Sequence, residues 1–224
     1  RLAIQIVTTG DPLGWTATRG VEGAFALLIP AGATPEEQDA IIRAVQLVAE
    51  RTIYLGHKGA VKLARVRFVE GQEFWRPQPE GLQRWWVPRP LAMAETRPQG
   101  KAQGGRPWGI EEAALLSLGM VWRDAFGLSG KGAAFYQSLV EAARKHVQVL
   151  KPRQIVGQAL LKYVHRVSPS NVLTAYTALL RFDDLVDPRA PLAVGQSRHL
   201  GTGLLIPVDL PPSLVMEDGG VPWP

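Results

Sequence analysis

Three glycines, Gly195, Gly201 and Gly203, frame the triplet Ser197-Arg198-His199 within the segment 194–207. Glycine tolerates positive φ and, lacking a Cβ, lets a bulky ligand come close to the main chain. In such a loop the backbone N–H groups, the Ser197 hydroxyl and the Arg198 guanidinium can together donate to a phosphate-sized anion. His199 adds an imidazole, whose unperturbed pKa of about 6.5 suits proton transfer. The same pattern also suits a tight turn into an edge strand, because Leu204-Leu205-Ile206 follows at once and Pro207 ends the run. The Gly-Lys-Ser/Thr ending of a P-loop is missing, and no helical pattern follows as a dinucleotide site requires. Nucleotide-dependent enzymes are therefore disfavoured.

A second imidazole, His57, lies in Gly56-His57-Lys58-Gly59, where Lys58 can stabilise developing negative charge. For His57 and His199 alike the alternative is a solvated loop histidine. His146 follows Arg144 and Lys145 at a predicted helix end, where the helix dipole accounts for it. His165 alternates with apolar neighbours and reads as structural, and Tyr176 is a candidate substitute proton carrier, although a tyrosine in a strand is far more often there for packing. Arg84, Trp85, Trp86 and Arg89 set aromatic rings among guanidinium groups, a mixture suited to unstacked bases and phosphates. One of the two tryptophans is expected to fill the core instead. Lys101 and Arg106 sit in the glycine-containing segment 97–107, which reads as a mobile basic loop that either closes over nucleic acid or only aids solubility.

The elements that must position these residues follow from periodicity and caps. Residues 2–7 and the apolar run 24–29 read as strands, the latter as a buried central one. Thr34-Pro35-Glu36-Glu37 opens a helix with a capping box, and Ile41, Val45 and Val48 form its inner face. Residues 61–68 alternate as a strand with a basic face. Residues 84–93 are strand-like, but Pro88 and Pro90 confine them to an edge or break them. Helices are predicted over 110–126 and 133–147, strands over 154–167 and 174–182, and a last strand after the glycine loop. This order, strand, capped helix, two strands, helices, strand, is the βαββαβ arrangement of an α+β, ferredoxin-like domain with insertions. The domain is expected to span residues 1–208, with a Pro/Gly-rich extended tail over 209–224.

The chain has 224 residues, enough for a substantial core, and 25 basic against 20 acidic side chains give a formal net charge of +5. An acidic partner is favoured. With no cysteine and four scattered histidines, disulfides, thiolate sites and histidine metal motifs are not expected, and no cofactor is expected. No apolar run reaches the roughly 20 residues needed to span a bilayer, so a cytoplasmic location is expected. Because the sequence opens on Arg1, a longer parent chain is expected as well.

Gly195, Arg198, Gly201, Gly203 and Leu204 together resemble the glycine-rich signature of the RAMP superfamily of CRISPR-associated proteins. The pattern G-x-x-R-x-x-G-x-G-L is similar to the end of the C-terminal half of the fused large RAMP subunit of type I-G (I-U) systems. Residues 84–90 resemble that family's Trp-Val-containing segment, and residues 179–182 its penultimate strand. The resemblance runs loosely over residues 20–208. It implies a ferredoxin-like fold and binding of CRISPR repeat RNA. It also implies metal-independent cleavage, in which the 2′-OH attacks the adjacent phosphorus to leave a 2′,3′-cyclic phosphate and a 5′-OH. Under that implication His57 and His199 are the proton-transfer candidates, aided by Lys58. Gly195, Ser197, Arg198, Gly201, Gly203, Arg84, Trp86, Arg89, Lys101 and Arg106 then hold the RNA. The position of His199 is often tyrosine in the family, a departure that bears on its role. The alternative within the family is a non-catalytic subunit that grips an end of the guide RNA, with other type I effector subunits as partners. A ferredoxin-like small-molecule binder is the reading outside it.

Overall fold

The computed structural model describes residues 2–8, 10–15, 23–49, 51–54, 56–63, 66–96, 108–163 and 173–216. The chain opens with a hairpin of β1 (Ala3–Thr8) and β2 (Gly23–Leu28), paired antiparallel with Ile4 opposite Leu27 and Ile6 opposite Phe25. Helix α1 (Pro35–Val48) follows, capped as its sequence predicts. Thr34 Oγ1 accepts from Glu37 N (3.3 Å), Glu37 Oε2 accepts from Thr34 N (2.9 Å), and Pro35 opens the first turn. A short hairpin of β3 (Thr52–Tyr54) and β4 (Ala60–Lys62) comes next, turned by a single 3₁₀ turn at Gly56–Lys58.

The main sheet is built from later strands: β5 (Gln83–Arg89), β6 (Ala92–Met93), β7 (Val147–Ile155), β8 (Ala175–Phe182) and β9 (Leu204–Leu210). Strand β8 pairs antiparallel with β7 along its length, and with β6 and, at Trp86↔Leu180, β5. Strand β5 pairs antiparallel with β9, from Gln83↔Leu210 to Arg89↔Leu204. Between β6 and β7 run helices α2 (Ile110–Trp122) and α3 (Gly132–Arg144), and a short α4 (Pro212–Met216) follows β9. The molecule is thus a mixed α+β protein with antiparallel sheets.

Side chains alternate across a strand, so the pair Trp86↔Leu180 assigns the faces. Trp86, Tyr176, Ala178, Leu180 and Val147 lie on the face that joins Leu115, Leu116 and Leu118 of α2 and Leu139, Val140 and Ala143 of α3 in the main core. Arg144 ties the two helices by ion pairs to Glu111 and to Glu112, the latter at 2.8 Å. The opposite face holds Leu91, Met93, Leu160 and Ala175 in a smaller core at one end.

Several expectations are overturned. The 24–29 run is an exposed or half-buried hairpin strand, because β1 is its partner and neither belongs to the main sheet. The tryptophan-rich strand is central rather than at an edge. Pro88 is accommodated because β8 meets β5 only at Trp86↔Leu180, and the strand breaks at the cis Arg89–Pro90 bond, beyond which β6 resumes. The strand predicted over 154–167 lies earlier, as β7, and gives way to a 3₁₀ segment at Gln158–Tyr163. Strand β4 covers only the start of the 61–68 alternation. The tail assignment also shifts, since Asp209 and Leu210 close β9 and Pro212–Met216 are helical.

Candidate functional site

The glycine loop bridges β8 and β9 and is laced to β6 and its flanks. Gln196 N donates to Met93 O (2.9 Å), Gly203 N to Leu91 O (2.8 Å) and Val194 N to Gly203 O (2.9 Å). Two of its glycines are required by the protein's own backbone. A Cβ at Gly203, whose φ is +75°, would stand 1.9 Å from Val194 O, and one at Gly195, φ +88°, would stand 2.5 Å from Met93 O. Both residues are buried, so the expectation that they clear a path for RNA is replaced by close packing of chain on chain. Gly201 differs: its φ of +89° ends the 3₁₀ turn Arg198–Leu200, and the nearest atom to a Cβ would be Ile4 O at 3.9 Å. Ser197 is buried and its carbonyl accepts from Leu200 N (2.8 Å).

Arg198 remains accessible. Its Nη1 donates to Gly195 O (2.9 Å) and to Glu95 Oε1 (3.4 Å), while Nε and Nη2 make no hydrogen bond among the described residues. Its side chain keeps 29% of its surface exposed, against 14% for Glu95. Burial raises the Glu95 carboxyl above its usual range, and the Arg198 charge only partly opposes this. Below them Tyr176 is fully buried and its hydroxyl is pushed well up, chiefly by desolvation. Ser117 stands near enough to counter that shift in part, but its hydroxyl donates to Ala113 O (3.0 Å), and Tyr176 Oη is left without a hydrogen bond of good geometry. Tyr176 is therefore a core residue and cannot meet a 2′-OH at the surface. Gln5 of β1 clasps the loop from the other side: its Nε2 donates to Arg198 O and to Thr202 O (3.1 Å). No periodicity pointed to Gln5 or Glu95; only their places in space do.

His199 is exposed in the 3₁₀ turn beside Arg198, and His57 is exposed in the turn between β3 and β4. The two thus belong to separate elements. Lys58 shares the His57 turn, and its side chain lies outside the described residues. Lys101, Arg106 and His165 lie outside them entirely. His146 follows α3, as expected, with its ring stacked on Phe126 at 5.8 Å.

The aromatic-arginine segment is corrected outright. Trp85 and Trp86 are both buried, Trp86 against Phe182, so neither ring offers a stacking surface. Arg84 is 6% exposed and fully engaged, with Nε and Nη2 on Asp209 (both 2.8 Å) and Nη1 on Arg76 O and Pro188 O. Arg89 pairs with Asp11 and donates to Ile6 O (3.2 Å), which ties β5 to the N-terminal hairpin. The signal for these roles was an acidic partner far along the chain, which sequence spacing does not reveal.

Two exposed arginines lie elsewhere on the same sheet. On the face away from α2 and α3, Arg181 of β8 stands opposite Gln148 of β7, and Arg153 of β7 opposite Thr177 of β8. Arg181, Arg153 and Gln148 are exposed and Thr177 is half-buried. Arg181 also lines a cleft of about 570 Å³, together with Arg84, Asp183, Asp184 and Asp187 among others. Arg84 is neutralised by Asp209, which leaves Arg181 as the cation that faces the three aspartates there. Among the described residues no cluster of metal-ligating side chains occurs, and no helix is long and apolar enough to cross a membrane. No family model, curated protein or solved structure matches the chain.

Proposed function

We propose that this chain is a ferredoxin-like RNA-binding domain of RAMP type that grips CRISPR repeat or guide RNA within a type I effector complex. The observation that carries the reading is the half-open sheet face. The order β7-β8-β5-β9, with α2 and α3 on one face, supports the ferredoxin-like reading, although only the 3₁₀ turn Arg198–Leu200 stands between β8 and β9 where the βαββαβ pattern has a helix; the other face presents Gln148, Arg153, Thr177 and Arg181 in cross-strand register. Guanidinium groups in that arrangement match phosphates along a single strand. Arg198, at the glycine loop, supplies a further cation.

Cleavage of the repeat by 2′-OH attack remains the enzymatic form of the proposal, with exposed His199 or His57 as the proton carrier. The non-catalytic form is favoured by placement: Tyr176 is sealed in the core and the two histidines occupy separate turns. Binding of labelled repeat RNA over a salt series tests the first claim. Arg153→Ala and Arg181→Ala are each expected to reduce the slope of log K on log salt by about 0.7. Unchanged slopes in both variants would remove the sheet face from the interface. Incubation in EDTA decides the second claim, since a cyclic-phosphate product establishes cleavage and intact RNA under saturating protein rejects it.

A further inference from the structure

Among the described residues Glu95 is the carboxylate that pairs with Arg198 of the glycine loop, and it is largely buried. It is brought there by the same bonds that anchor the loop, because Gln196 N and Gly203 N hold Met93 O and Leu91 O just before it, and Ala94 N donates to Thr174 O (2.9 Å). The guanidinium above it is only half engaged. The 3.4 Å contact to Glu95 is long for a charge-assisted hydrogen bond, and Nε and Nη2 make no hydrogen bond among the described residues. Gln5 meanwhile fixes the Arg198 carbonyl, so the side chain can change partners without moving the main chain. The described charged and titratable groups acting on Glu95 are Arg198 from the loop and Tyr176 from β8; Ser117 from α2 faces the same polar interior.

We propose that Glu95 is an internal stand-in for phosphate at Arg198, a positioning residue that holds the guanidinium in the free protein and yields it when an RNA phosphate arrives. This rests on the RNA-binding reading and names the device that regulates one contact of that site. A phosphate dianion or diester offers fixed oxygens to Nε and Nη2 together, whereas Glu95 reaches only Nη1. Once Arg198 turns to the phosphate, the Glu95 carboxylate loses its only described cation inside a poorly solvated setting. It then takes up a proton from solvent on a carboxyl oxygen, as the burial that already raises its pKa dictates. RNA binding is thereby coupled to proton uptake, and affinity rises as pH falls.

The test is calorimetric titration of a single-stranded RNA oligonucleotide in buffers of different ionisation enthalpy, with folding checked by circular dichroism. The wild type is expected to take up a fraction of a proton on binding, at pH values above the ordinary carboxyl range. Glu95→Gln should abolish that uptake and bind about fivefold tighter, the equivalent of one weak ion pair of about 1 kcal/mol. Arg198→Ala should also abolish the uptake while weakening binding, which keeps the proposal testable if Glu95→Gln folds poorly. RNA binding with the same proton uptake in wild type and Arg198→Ala would overturn the role of Glu95. No binding by the wild type at low salt would instead remove the RNA reading, and this inference with it.

Discussion

Arg84 and Gly203 show how residues chosen for ligand chemistry serve the protein itself. Arg84 has its guanidinium distributed over Asp209 and two carbonyls, and removing it leaves a carboxylate and two acceptors at a nearly closed site. Arg84→Ala is expected to cost about 3–5 kcal/mol in urea melts. A loss below 1 kcal/mol would mean that water replaces the guanidinium freely. Gly203→Ala forces a Cβ into the space of Val194 O at a positive φ, so a loss of about 3 kcal/mol is expected while RNA affinity of the folded fraction is kept. Reduced affinity at full stability would restore the glycine to the RNA contact. Glu95 adds a pH dependence whose sign follows from its raised pKa. Between the ordinary value of 4.5 and the raised one, the folded state binds the extra proton, so this group's contribution to stability declines as pH rises. The difference in melting temperature, Glu95→Gln minus wild type, should therefore grow as pH rises from the ordinary carboxyl value through the raised one. A flat difference would place Glu95 in solvent.

At the level of elements, caps and edges behave as local rules require, while burial does not. Helix α1 has its capping box formed, yet none of its residues is buried. Thr34→Ala should cost about 1 kcal/mol of helix stability. The loss should appear as faster amide exchange in α1 and leave the melting of the main core unmoved; a matching fall in the global transition would show that α1 is part of the cooperative unit. Strand β7, at the sheet edge, carries a register shift at Lys151-Pro152, where Lys151 adopts φ +47°. A bulge, a proline and cations at an edge hinder pairing with other strands. The hairpin strands β1 and β2 contain no charged residue, so their outer edges lack that protection.

Across the whole molecule the N-terminal hairpin packs Val7 into the main core on one face and exposes apolar surface on the other. Leu2, Ile4, Ile6, Phe25 and Ile29 are each more than a third exposed, and the register puts Ile4 beside Leu27 and Ile6 beside Phe25 on one face. Contiguous apolar surface of this kind binds hydrophobic dyes. Ile6→Ser with Phe25→Ser should lower dye fluorescence with a stability change within about 0.5 kcal/mol, since surface substitutions away from buried features seldom do more. A large stability loss would show that this face is packed.

What the sequence determined by itself is what depends on neighbours along the chain. The capped helix at Thr34, the two helices before β7, the Thr/Tyr/Leu-rich strand β8 and the strand after the glycine loop were all legible from caps, periodicity and turn residues. Which strands share a sheet was not legible, because pairing joins residues far apart, as β5 with β9, and local alternation carries no partner label. The fate of each cation was decided the same way. Arg84 and Arg89 look like RNA ligands in a linear reading, but the fold brings Asp209 and Asp11 against them, whereas Arg153 and Arg181 come to stand together on an open sheet face only through the register of β7 on β8. Arginine beside a buried carboxylate is held by Coulomb attraction in a poorly screened interior, whereas arginine on a solvated face is screened by water. Tertiary structure alone sorts one from the other.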